Sequence, residues 1–183
     1  MYGRAPCAAD GNVVAFGDQG DRTVIEIQVR HDVRIAFREG LQQRDELSPL
    51  DRYTAEGLKL TAEQLSQPGS ARAAIRTSLL RHAAQSSGGA GRRGCLVVAM
   101  ATEQAAHDPE IAERTRGMFA RLQQLYAAAI VRGQTSGEFP ERDAQAMALF
   151  LVCQIQGMRV LGKTGVAEAD MVAMVENTLR ILD

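Results

Sequence analysis

The strongest constraint on the fold lies in residues 143–161, which have helical spacing and are apolar on nearly every side. Met147, Leu151, Ile155 and Met158 recur at steps of four and three, while Leu149, Phe150, Val152, Cys153 and Val160 fill the other faces. A helix of this kind needs cover all round. In a chain of 183 residues, one of those sides is expected to lie against another subunit. Lys163, Thr164 and Gly165 end the helix with a C-terminal cation and a glycine just past it.

The neighbouring segments read as helices too. Residues 168–182 carry one apolar row of Val172, Val175, Leu179 and Leu182 and an adjacent row of Met171, Met174, Thr178 and Ile181. Asp108-Pro109 is a side-chain cap followed by proline at the first helical position. From there Ile111, Thr115, Met118, Leu122, Leu125 and Ala129 form a stripe expected to run to about Arg132, with Gly133 and Gly137 breaking it. Residues 94–107, 70–85 and 50–65 complete a set of six predicted helices, and residues 86–91 read as a flexible glycine loop. Residues 1–47 differ. Residues 23–29 alternate like a strand, and residues 32–47 return to helical spacing with Val33, Phe37 and Leu41 one turn apart. The expected division is an atypical N-terminal segment, 1–47, and a helical domain, 48–183.

Composition narrows the function classes. Apolar residues make up 45% and charged residues 23%, which excludes wholesale disorder. Trp is absent, so the core is expected to be aliphatic. The longest uninterrupted apolar run, residues 146–153, is too short to cross a bilayer. The first residues lack the apolar stretch of a secretory signal, so a cytoplasmic location without membrane contact is expected. Cys7, Cys95 and Cys153 are odd in number and widely spaced, which fits a reducing compartment.

Little in the chain suggests catalysis. No Ser-His-Asp set, Walker loop or GxGxxG motif is present, so neither an enzyme nor a cofactor is expected. Glu103 and His107 share a helix face as two metal ligands would, but no third ligand accompanies them, and a solvated polar face is the simpler reading. Cys95 sits at a helix start, where the dipole favours the thiolate. It is therefore a redox candidate, against the alternative of a small residue packed at a helix entry.

The ordered set Gly94-Cys95-Leu96-Val97-Val98, Thr102-Glu103 and His107-Asp108-Pro109-Glu110-Ile111-Ala112, then a long helix and Gly133-Gln134-Thr135-Ser136-Gly137-Glu138-Phe139, resembles TetR-family transcriptional regulators. Gln156-Gly157-Met158-Arg159-Val160-Leu161 and Leu50-Asp51-Arg52-Tyr53 extend the resemblance over residues 47–182. It implies an all-α, TetR-like helical bundle that binds a small-molecule effector and forms a homodimer through its last two long helices. It also implies an N-terminal helix-turn-helix that grips double-stranded operator DNA, and an inducer that releases it.

Candidate residues follow from this frame. Met100, Phe119, Leu122, Tyr126, Phe150 and Gln154 mix adaptable apolar walls with polar tips, as a ligand pocket does, although a plain core would use the same residues. Leu151, Ile155, Met158, Val172, Val175 and Leu179 are the expected dimer contacts. Arg30, His31, Arg34 and Arg38 form a basic edge suited to a DNA groove. Residues 1–47 nevertheless depart from the family pattern. They carry 6 Arg against 8 Asp and Glu, unlike a module that neutralises several phosphates. Either they form a working reader, or they are a truncated or frame-shifted remnant beside an intact ligand-binding domain.

Overall fold

The computed structural model describes residues 49–183, which form seven α-helices and no strand. The predicted strand at 23–29 and the predicted helix at 32–47 lie outside the described residues. The helices are α1 (Pro49–Leu65), α2 (Ala71–Gln85), α3 (Gly88–Arg93), α4 (Leu96–Glu103), α5 (Pro109–Thr135), α6 (Ala144–Lys163) and α7 (Glu168–Arg180).

The helix starts follow local chemistry. The Asp108 carboxylate accepts from the backbone N–H groups of Glu110 (2.9 Å) and Ile111 (3.2 Å), with Pro109 opening α5. Asp143 does the same for Gln145 (2.9 Å) and Ala146 (3.1 Å) at the head of α6. Ser70 caps α2 through Ala73 N–H (3.1 Å). A second cap on α2 arrives from a distant loop. Glu138 accepts from Ala71 N–H (2.9 Å), Arg72 N–H (3.1 Å) and the Ser70 hydroxyl (2.5 Å).

The most extensive packing is between α5 and α6, which a short turn joins so that α6 runs back along α5. Helix α2 lies at the centre, against α7, α1, α5 and α6. The main core gathers Ile75, Leu79, Leu122, Tyr126, Leu151 and Ile155 among others, all at most 2% exposed. A second, smaller cluster of Leu50, Val97, Met100 and Ile111 joins α1, α4 and α5. Ion pairs tie the periphery: Arg114 bridges Asp51 (2.8 Å) and Glu110 (2.9 Å), Arg76 meets Glu176 (2.6 Å), and Arg72 meets Asp183.

Four expectations change. The glycine loop at 86–91 is partly helical, because α3 begins at Gly88. Its glycine content serves contact as well as turning. A Cβ on Gly91 or on Gly162 of α6 would stand 2.2 Å from the Ser86 carbonyl oxygen, so both glycines let backbones approach at one point. Helix α4 starts only at Leu96, because Gly94 adopts φ +78° and breaks the pattern before it. Gly133 does not end α5. It lies inside the helix, where the Phe139 ring occupies the place of its missing side chain, and the helix continues to Thr135. Finally, α6 is long and apolar enough by length and composition to cross a membrane, although its uninterrupted apolar run is short. In this fold its inner face, with Ala148, Leu151, Val152, Ile155 and Met158, is packed into the bundle.

Two stability tests follow. The Gly162→Ala substitution meets a backbone oxygen that no side-chain rotation can move, and costs roughly 2 kcal/mol in urea denaturation. A Cβ at Gly117, in mid-α5, meets nothing within 4 Å, so Gly117→Ala stabilises by about 0.5–1 kcal/mol. Equal effects of the two would show that the Ser86 contact is not rigid. Hydrogen bonds from Ser70, Ala71 and Arg72 pull the Glu138 carboxyl from 4.5 down to about 2. Because the folded group titrates below the unfolded one, its contribution is complete above pH 4.5 and fades as the pH falls toward 2. Unfolding midpoints of wild type and Glu138→Gln therefore converge on acidification through that window.

Candidate effector pocket and subunit face

The six residues expected to line a pocket come from α4, α5 and α6, and the structure divides them between the two apolar clusters. Met100 (1% exposed) belongs to the small cluster, and Leu122 and Tyr126 belong to the main core. Half-buried Phe119 packs against both and marks their junction. Phe150 packs against the main core from α6, and the side chain of Gln154, half-buried on the same helix, makes no hydrogen bond among the described residues. The outer side of Phe119 lines an open groove of about 560 Å³ with Ala105, Ala112, Thr115, Gln123 and Leu149. Of the six expected residues, only Phe119 reaches it.

The polar groups of the interior are arranged by α2. The Tyr126 hydroxyl and the Ser78 hydroxyl share a buried hydrogen bond of 2.8 Å, and burial pushes the Tyr126 phenol up. One turn further, His82 of α2 is buried between two arginines. Arg81 Nη2 lies 3.3 Å from His82 Nε2, and Arg159 Nη2 of α6 lies 3.2 Å from His82 Nδ1. Burial, with Arg81 and Arg159 adding to it, lowers the imidazole from 6.5 to about 3, so the ring is neutral.

Periodicity gave no signal for this cluster. Adjacent Arg81 and His82 point along one helix, and Arg159 meets them only across the packed bundle.

Cys95 occupies the N-cap position of α4 and makes no side-chain cap. Its sulfur accepts a hydrogen bond from the Tyr53 hydroxyl at 3.7 Å. Burial of the phenol and the nearby Cys95 push Tyr53 from 10.0 up to about 12.

The residues expected at the dimer face are placed differently. Leu151, Ile155, Met158, Val175 and Leu179 are at most 2% exposed within the single subunit, and Val172 is half-buried. The first five are packed into this subunit's own core. An all-round apolar helix does not reveal its rotation from spacing alone, and the expected phase for α6 was turned away from the observed one. The outward stripe of α6 is Ala146, Leu149, Cys153, Gly157 and Val160, at steps of three and four, with no charge on it. Leu149 is 50% exposed and Val160 49%, and Ile181, just past α7, is 46% exposed. Arg30, His31, Arg34 and Arg38, the expected DNA contacts, lie outside the described residues.

Residues 71–176, more than half of the chain, match the family described as "Transcriptional regulator LmrA/YxaF-like, C-terminal domain", a TetR C-terminal domain. The chain belongs to the TetR family of transcriptional regulators. Two solved structures of cysteine mutants of the TetR family transcriptional regulator CifR, each complexed with a 26 bp double-strand operator DNA, share its fold. The first is 22% identical with a TM-score of 0.63, covering 73% of this chain and 70% of its own. The second is 23% identical with a TM-score of 0.65, covering 80% and 73%. A comparison with curated proteins found no match.

The buried hydroxyl pair gives this TetR-family domain a direct test. Tyr126→Phe leaves Ser78 without its partner in the core and costs about 1–2 kcal/mol. The double variant Tyr126→Phe with Ser78→Ala loses less than the sum of the two single losses in a thermal-denaturation cycle. Additive losses would show that the 2.8 Å contact contributes nothing.

Proposed function

We propose that the chain is a ligand-responsive, cytoplasmic repressor that binds operator DNA as a homodimer and is released by a small-molecule inducer. The observation that carries this reading is the family match over residues 71–176. In this reading residues 1–47 meet DNA, using Arg30, His31, Arg34 and Arg38, and residues 48–183 bind the effector and the second subunit. Effector binding favours a dimer whose DNA-reading segments no longer match successive grooves. The DNA complexes of CifR, which has the same fold, support the DNA partner.

Dimerisation is supported by the uncharged stripe on α6. Exposed Leu149, Cys153, Gly157 and Val160 form a narrow apolar band, and the small residues allow a second helix to approach closely. The predicted contacts Leu151, Ile155, Met158, Val175 and Leu179 give way to this outward set. No catalytic role is part of this reading.

A second reading is favoured by charge. With 6 Arg against 8 acidic residues, residues 1–47 are net acidic, as expected of a dimeric small-molecule-binding domain that has lost DNA binding.

A gel shift at low salt against the promoter DNA flanking the gene separates the two. Retardation supports the repressor, and its absence supports the binding domain alone. Light scattering tests the assembly. Wild type runs as a dimer, and Leu149→Glu with Val160→Glu runs as a folded monomer, because two carboxylates on an apolar contact remain unpaired there. A monomeric wild type would remove the homodimer from both readings.

A further inference from the structure

The cluster of Arg81, His82 and Arg159 holds more hydrogen-bond donors than its surroundings accept. Arg81 donates to Gln64 Oε1 (2.7 Å) and Thr61 Oγ1 (2.6 Å), and Arg159 donates to Gln85 Oε1 (2.5 Å). Among the described residues, neither guanidinium has a carboxylate within ion-pair distance. Each also faces one nitrogen of the same buried imidazole. A neutral imidazole carries one N–H and one free lone pair. It accepts from one arginine, and its own N–H then points at the donors of the other. A protonated ring would set donors against donors on both sides and add a third positive charge. In every proton state the cluster therefore has a surplus of donors and at least two positive charges on a half-buried seam between α1, α2 and α6.

Burial makes that surplus expensive to leave unanswered. Arg159 is half-buried and its guanidinium reaches exposed Gln85, so this edge of the cluster meets solvent. The Arg159 charge is felt by the Tyr53 phenol beyond it, on the side where α1 meets α4.

We infer that Arg81, His82 and Arg159 form the recognition site for the oxyanion of a small molecule, a carboxylate or a phosphate. Its oxygens accept from Arg159 and from the imidazole N–H, the two groups that face each other at 3.2 Å. Arg81 supplies the second charge from behind. Planar guanidinium forks suit both kinds of oxyanion. This rests on the reading of the helical domain as effector-binding and gives that effector a negative charge. It makes His82 the tautomer-setting centre of the site: the N–H faces Arg159 when an oxyanion bridges them, and the lone pair accepts from Arg81.

Calorimetry on the full chain, without DNA, tests the site with three probes at constant ionic strength: benzoate, its neutral analogue benzamide, and inorganic phosphate. Benzoate or phosphate is expected to bind at least about tenfold more tightly than benzamide. Benzoate alone identifies an organic carboxylate, and phosphate alone a phosphoryl group. In Arg159→Met, which keeps the volume but not the charge, the advantage over benzamide falls to near one, while in exposed Arg121→Gln it is retained. Should Arg159→Met fail to fold, ring-proton NMR of the wild type answers the same question. Of the three histidines, His82 alone shifts on titration with the bound oxyanion. No preference over benzamide, an unchanged preference in Arg159→Met, or a silent His82 ring would each overturn the assignment. The gel shift is an independent readout: loss of DNA binding with anion binding intact removes the repressor reading and leaves this site standing.

Discussion

The contact that organises this domain is the seam between α5 and α6, pinned at one end where α6 crosses the close of α2. At that crossing the Ser86 carbonyl lies so near Gly162 and Gly91 that neither position has room for a methyl group. Ser86 itself is held by α2, since its N–H and hydroxyl both return to the carbonyl of His82. Helix α6 is thereby set in depth and in rotation together. Once that rotation is set, Leu151, Ile155 and Met158 enter the core, and Leu149, Cys153 and Val160 turn outward. Close-packed interiors allow little adjustment, so one backbone contact settles the placement of a whole helix face.

The same crossing builds the polar interior. Helix α2 carries Ser78 one turn before the adjacent pair Arg81 and His82, and the depth of α6 brings Arg159 to the far side of the imidazole. Two apolar clusters meet at Phe119 of α5. The outward stripe of α6 belongs to the same helix that presents Arg159. A shift of α6 that moved Arg159 would therefore move the outward stripe with it.

The helices themselves were legible because their signals are local. Asp108-Pro109 caps the helix it was expected to cap, and Gly165, at φ +83°, follows α6 as a C-terminal glycine should. The ordered motifs likewise pointed to the TetR family, and residues 71–176 match it. Glycines were read less well. Gly91 and Gly133 look alike in sequence to Gly137, yet the first two admit a neighbouring backbone or ring, while Gly137, at φ +75°, terminates a helix. Local pattern cannot separate these roles, because the partner atom lies on a distant segment.

By itself, then, the amino-acid order determined the all-α class, the capped start of α5, the apolar character of α6 and the family. Each depends on spacing within a few turns of chain. Only tertiary packing decided which face of α6 turns inward, that Glu138 caps a helix 67 residues away, and that Arg81 and Arg159 flank one buried histidine. The reason is geometric. A helix that is apolar on all sides has no preferred rotation until another backbone approaches it, and a charged side chain acquires its chemistry from neighbours that the chain order does not place beside it.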